Sequence, residues 1–145
     1  MKILIALDES PISLRAAREA GRLFGDAEYL VVNVTRHAVP WVAAGGFGTV
    51  YPIPLTELRP SRLDEDEVLA LAEHAGIHAS EVLPEFGDPA TAICEAAEQC
   101  VVDVDVVVVG SHDKGVLRRL LDPSVAQAVV RGTDRPVLVV SGQVE

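Results

Sequence analysis

Val106 to Val109 are four consecutive valines. A β-branched run with no polar alternation suits a strand buried on both faces of a parallel sheet. It opens the stretch from Val104 to Val140, VDVVVVGSHDKGVLRRLLDPSVAQAVVRGTDRPVLVV. Gly110 is expected to end the strand. A polar, cationic loop follows with Ser111, His112, Lys114, Gly115, Arg118 and Arg119, then a helix starting near Asp122-Pro123-Ser124 and a last apolar strand from Val137 to Val140. Strand, loop, helix and strand in that order put backbone donors and a helix N-terminus at the carboxyl end of a sheet. Such an end binds phosphate well.

The rest of the chain alternates in the same way. Lys2 to Leu7 reads as the first strand. Ser10-Pro11 starts the first helix with a hydroxyl cap and a proline at the first helical position, and Gly25 stops it. Leu14, Ala17, Ala20 and Leu23 or Phe24 recur at helical spacing and should face the sheet. Tyr29 to Val34 is a second buried strand. Ser61 to Ala75 is a second helix, with Asp64, Glu65, Asp66 and Glu67 in its first turns, where the helix dipole favours negative charge. Ile77 to Leu83 reads as a third strand. Asp88-Pro89 opens a third helix whose core face is Ile93, Ala97 and Val101. The expectation is an α/β fold: a single doubly wound five-stranded parallel sheet, order 3-2-1-4-5, with helices on both faces and right-handed crossovers, formed by residues 1–145 as one domain. The order reverses between strands one and four, so a ligand should sit beyond Leu7-Asp8 and Val109-Gly110.

At this length a chain buries about 70% of its unfolded surface, enough for a full core. Twelve basic against twenty-two acidic residues give a net charge of −10, which disfavours nucleic acid or an anionic membrane as partner. Only five apolar residues separate Lys2 from Asp8, too few for a signal-peptide core, and no later run approaches a membrane span. A cytoplasmic location is expected. Cys94 and Cys100 lie six apart on one expected helix, roughly 9 Å along the axis and beyond disulfide reach. They read as two buried thiols. His74 and His78 are four apart, but Gly76-Ile77 breaks the helix between them, which argues against a metal site. Thr35 to Pro60 has no regular period and mixes Pro40, Gly45, Gly46, Gly48, Pro52 and Pro54 with Trp41, Phe47 and Tyr51. A stretch this long without regular structure is either functional or mobile, a surface flap or a ligand-contacting segment.

The Gly110-to-Val140 stretch resembles the C-terminal half of the universal stress protein family. Members that bind ATP show Gly, two residues, Gly, nine residues, then Gly-Ser or Gly-Thr in this loop. Here Gly110 and Ser124 match the first and last positions, whereas Asp113 and Pro123 replace the second and third glycines. Gly115, Leu117, Leu120, Leu121, Val125 and Arg135-Pro136-Val137 are similar to the family, as is the Gly87-Asp88-Pro89-Ala90 turn. The resemblance implies contacts to an adenine nucleotide from Asp8, Gly110 and Ser124, with Gly115 and Val125 beside them, and the crevice's own residues add Val32, Val34, Ser111, His112 and Lys114 as candidates. No nucleophile–base pair is recognisable from spacing, so no catalytic residue is expected, and no metal site is expected in the protein itself. No cofactor is required, and ATP, with Mg2+, or another adenine nucleotide would be held at low affinity.

The residues themselves argue against tight phosphate binding. Asp113 adds a side chain and a negative charge where glycine would let backbone approach phosphate. Pro123 deletes an N–H. Asp122-Pro123 repeats the cap-then-proline pattern of Ser10-Pro11 and Asp88-Pro89, so the Asp122 carboxylate can take the helix-end donors that a phosphate would use. Lys114, Arg118, Arg119 and His112 could instead hold an anion by side chains, or pair with surface carboxylates. Asp8 has two readings as well, nucleotide contact or support of the turn into the first helix. The function expected is a small, non-enzymatic stress-response or regulatory protein with a degenerate adenine-nucleotide pocket. The alternative is an ATP-binding member with slow or no hydrolysis. A phosphoacceptor domain would want an aspartate ending strand three, where the chain reads Leu83-Pro84-Glu85. A dinucleotide site lacks its Gly-rich turn after strand one. The apolar edge of the last strand, with the family's mode of association, leads to a homodimer through that strand, and an unidentified protein partner is expected.

Overall fold

In the computed structural model, which describes residues 1–35, 63–99, 103–112 and 125–142, strand and helix alternate: β1 (Lys2–Ala6), α1 (Pro11–Phe24), β2 (Glu28–Thr35), α2 (Glu65–His74), β3 (Ala79–Phe86), α3 (Pro89–Glu98), β4 (Val106–His112), α4 (Val125–Gly132) and β5 (Val137–Gly142). The five strands form one parallel sheet in the order β3-β2-β1-β4-β5. That is the expected order. Two-residue alternation along the strands divides the core in two. Ile3, Ile5, Tyr29, Val31, Val108 and Val140 pack with Ala16, Ala17 and Ala20 of α1 and Val68 and Ala72 of α2. Leu4, Leu30, Val32, Val107 and Val109 pack on the other face with Ile93, Ala96 and Ala97 of α3 and Ala126 and Val129 of α4. Alanine on the helices lets them lie close to a valine-rich sheet.

The helix starts follow their caps. Ser10 Oγ accepts from the Ser13 N–H at 3.3 Å, with Pro11 opening α1. The Asp88 carboxylate accepts from the Thr91 N–H at 3.0 Å, with Pro89 opening α3. Asp64 and Glu67 form a reciprocal capping box, so the acidic run is the start of α2. α1 ends at Gly25, whose φ of 56° favours glycine. Phe24, rather than Leu23, packs on the core, and Leu23 is exposed.

Several boundaries differ from expectation, β5 among them, which runs on to Gly142. Gly110 does not end β4: Gly110, Ser111 and His112 pair with Val140, Ser141 and Gly142, so Ser111 and the His112 backbone belong to the strand and not to a loop. β3 is shifted to Ala79–Phe86 because a bulge at Ser80 resets its pairing with β2 and because an edge strand tolerates Pro84. α2 begins at Glu65 with Asp64 as its cap, later than Ser61. α3 ends at Glu98, with Gln99 already extended; Cys100 and Val101, expected on this helix, lie outside the described residues. Cys94 is half-buried, with its sulfur 3.8 Å from the Val129 carbonyl that accepts its S–H.

Candidate functional site

β1 pairs with β2 on one side and β4 on the other, so the chain crosses over in opposite directions from the centre of the sheet. Beyond the carboxyl ends of β1 and β4 the loops part, and this is the position in which an open α/β sheet binds ligands. Asp8 lies on the β1 side of that crevice and Gly110 on the β4 side.

The β1 side is a closed hydrogen-bonded turn. The Leu7 N–H donates to the Val32 carbonyl at 3.0 Å, and Asn33 Nδ2 donates to the Leu7 carbonyl at 2.9 Å. The Asp8 N–H donates to Ser13 Oγ at 3.0 Å, and the Ser13 hydroxyl reaches the Asp8 carbonyl at 2.8 Å. Asp8 Oδ1 accepts from the Ser10 N–H at 2.7 Å. The Asp8 side chain therefore does support the turn into α1. It remains exposed at the crevice, so the carboxylate can still meet a ligand. Ser13 and Asn33, only 6% and 7% exposed, are the polar residues that sequence reasoning missed. Asn33 stands out as the one polar interruption of Tyr29 to Val34, and Ser13 as a hydroxyl three residues after the Ser10 cap, but neither pattern reveals the backbone partner.

The β4 side is governed by a close approach of helix to strand. A Cβ at residue 110 would lie 2.8 Å from the Ile12 carbonyl oxygen and 3.0 Å from Ile12 Cγ1. No side chain fits there. Gly110 is thus demanded by the packing of α1 against β4, whether or not a phosphate binds. At the end of β5, Gly142, with φ of 146°, lies under the guanidinium of Arg15.

Of the residues expected to contact nucleotide, Asp8, Gly110 and Ser111 come together at the carboxyl ends of β1 and β4. Val32 is buried and packs in the α3–α4 core, as does half-buried Val34 at its margin, so their side chains belong to that core. Val125 is the first residue of α4 and also packs against that core. Lys114, Gly115 and Ser124 lie outside the described residues, together with Asp113, Asp122, Pro123, Arg118, Arg119 and most of the segment from Thr35 to Pro60. A cavity of about 360 Å³ opens elsewhere, between α2 and the ends of β2 and β3, lined by Asn33, Leu63, Asp64, Val68, Val82 and Pro84 among others. Among the described residues, none of the expected nucleotide contacts lines it.

Among the described residues, the perturbed titrations lie away from the crevice. Burial, with the nearby charges of Glu98 and Asp88, pushes the Cys94 thiol up, which keeps it protonated and poorly nucleophilic. Burial and Asp26 raise Tyr29, whose hydroxyl donates to the Gly25 carbonyl at 2.7 Å. The Thr133 hydroxyl, donating at 2.6 Å, holds the Glu98 carboxyl below the usual range, helped by the Asp134 backbone and the Arg135 charge. No helix among the described residues is long and apolar enough to cross a membrane.

A five-stranded parallel sheet of this order, with its crevice at β1 and β4, is accompanied by a match to the universal stress protein family over residues 1–141. The chain belongs to that family. It is similar to the universal stress protein MJ0531 of Methanocaldococcus jannaschii, 33% identical over 147 residues that span 96% of this chain and 81% of the relative. Among solved structures it shares its fold with hypothetical protein MJ0577 (TM-score 0.63, 21% identity, 99% of this chain and 97% of the other). A universal stress protein in complex with cAMP has the same fold (TM-score 0.57, 24% identity, 97% and 95%). So does the UspA of Lactobacillus plantarum (TM-score 0.60, 22% identity, 97% and 97%).

Proposed function

We propose that this universal stress protein is a non-enzymatic cytoplasmic regulator whose adenine-nucleotide crevice is degenerate, so that it binds ATP weakly. The observation that carries the reading is the fit of Gly110 to Ile12. Only one glycine of the family's ATP motif is retained, and that one has a packing reason to be glycine. The two positions with no such demonstrated need carry Asp113 and Pro123, which repel phosphate or remove a donor. Nucleotide contacts fall to Asp8, the backbone of Val32 and Val34, Ser111, His112, Lys114, Gly115, Ser124 and Val125. Mg2+ enters only with ATP.

A mononucleotide suffers less from Asp113 than a triphosphate does, because it brings fewer negative charges to the same place. One fold relative was solved with cAMP, which makes cAMP the natural competitor in a binding assay. Equilibrium binding of labelled ATP, with cAMP and AMP as competitors, tests the reading. It predicts weak ATP binding and little or no nucleotide released when protein purified from cells is denatured. Stoichiometric ATP carried through purification would overturn it.

The two sheet edges point to the mode of self-association. β3 carries Glu81, Pro84 and Glu85, which blunt an edge. β5 has neither charge nor proline from Val137 to Gly142, and Val139 is 39% exposed. A homodimer through β5 follows. Val139→Lys should then yield monomers in sedimentation at micromolar concentration; a natural protein that is already monomeric would contradict the pairing. A protein partner would add to this dimer, and the acidic surface makes nucleic acid and anionic membranes poor candidates.

A further inference from the structure

We infer that Arg15 is an anion-positioning residue of the same crevice, holding the distal phosphates of a nucleotide from the α1 side. The inference rests on the proposed nucleotide reading and adds to it a cationic contact from α1. Arg15 is half-buried on α1, one turn after Ile12, the residue fitted against Gly110. Helix side chains lean toward the N-terminus, which for α1 is the end at the crevice. Its guanidinium lies on the end of β5, so close to Gly142 that any Cβ there would overlap Nη1. The absence of a side chain at Gly142 is what lets the guanidinium settle at the strand ends.

Register gives its distance from the motif. Gly110 pairs with Val140 and His112 with Gly142. One strand spacing across and two residues up separate Gly110 from Gly142 by roughly 8 Å. A polyphosphate chain running from the crevice toward β5 spans such a distance. A guanidinium offers five N–H donors in a planar fork that matches phosphate oxygens, and it serves more than one acceptor at a time. Side-chain charge of this kind offsets part of what Asp113 and Pro123 remove from the backbone cradle.

The test measures ATP and adenosine affinity by calorimetry in the natural protein and in Asp113→Gly with Pro123→Gly, each with Arg15 intact, Arg15→Gln or Arg15→Lys. The inference predicts that Arg15→Gln weakens ATP about tenfold, the loss of one charge-assisted contact, and leaves adenosine within about twofold. Arg15→Lys should recover part of the loss, and added salt should shrink the difference. A residue that merely holds α1 against β5 would move ATP and adenosine together. If glycine restoration strengthens ATP binding but Arg15→Gln does not change it, the assignment of Arg15 fails while the degenerate-site reading stands. If restoration brings no gain yet Arg15→Gln still weakens ATP selectively, the reading fails and Arg15 stands. No ATP binding by any variant at millimolar ligand would overturn the assignment.

Discussion

The two strands that border the crevice end in opposite ways. β1 ends in a turn of short polar side chains: Asp8, Ser10 and Ser13 bond one another's backbone, and Asn33 reaches across to the Leu7 carbonyl. β4 runs on through Gly110 to His112, and its critical residue has no side chain at all, being pressed against Ile12. One wall is held by hydrogen bonds, the other by shape. The lesson concerns motif reading. A glycine that packing requires says nothing about phosphate, so Gly110 cannot by itself count toward ATP binding.

Substitutions can break the comparison. Gly110→Ala should have the largest effect, because the new methyl meets backbone rather than a flexible side-chain end. Overpacking of this kind costs about 2–3 kcal/mol, to be read from urea denaturation. A cost below about 0.5 kcal/mol would show that α1 and β4 separate easily, and the shape argument would fail. Asn33→Ala comes next. It leaves the Leu7 carbonyl without its 2.9 Å donor in a buried setting, a loss of about 1–3 kcal/mol. Ser13→Ala removes bonds within the turn and should cost about 1 kcal/mol. Equal costs for Gly110→Ala and Ser13→Ala would erase the distinction between the walls.

A smaller, pH-dependent effect is expected far from the crevice. The hydrogen bond from Thr133 lowers the Glu98 carboxyl in the folded protein. Stability from a depressed carboxyl is present above its unfolded value and is lost as pH falls through the folded value. Thr133→Val should therefore destabilise most near neutral pH. Its difference from the natural protein should narrow as pH falls below the ordinary glutamate value and through the lowered value of Glu98. A difference independent of pH would mean that only the bond from the Arg135 N–H to Thr133 Oγ1 matters.

Much of this architecture was legible in the chain because local signals agreed with the global fold. Ser10-Pro11 and Asp88-Pro89 mark helix starts that the structure keeps, and the valine run at 106–109 places a central strand. The end of β4 was not legible. Glycine usually breaks a strand, and only the position of Ile12, almost a hundred residues away in the chain, shows why Gly110 continues one. Pro84 misled in the same way, since its tolerance depends on β3 being an edge. Within the site, the place of Asp8 at the carboxyl end of β1 followed from strand order. Ser13 and Asn33 did not, because their role is to satisfy backbone groups that approach each other only in the fold. The approach of Arg15 to Gly142 was not legible either, because nothing in sequence links α1 to the end of β5.

The most direct test of the central claim is the calorimetric affinity of ATP for the natural protein, for Asp113→Gly with Pro123→Gly, and for that pair with Asp8→Ala. Two lost charge-assisted contacts, at about 1.5–3 kcal/mol each, predict that restoring the glycines strengthens binding by roughly a hundredfold or more, and that Asp8→Ala takes part of the gain away. Tight binding by the natural protein, or no gain on restoring the glycines, would contradict the degenerate crevice; a gain untouched by Asp8→Ala would leave the crevice degenerate and remove Asp8 from it.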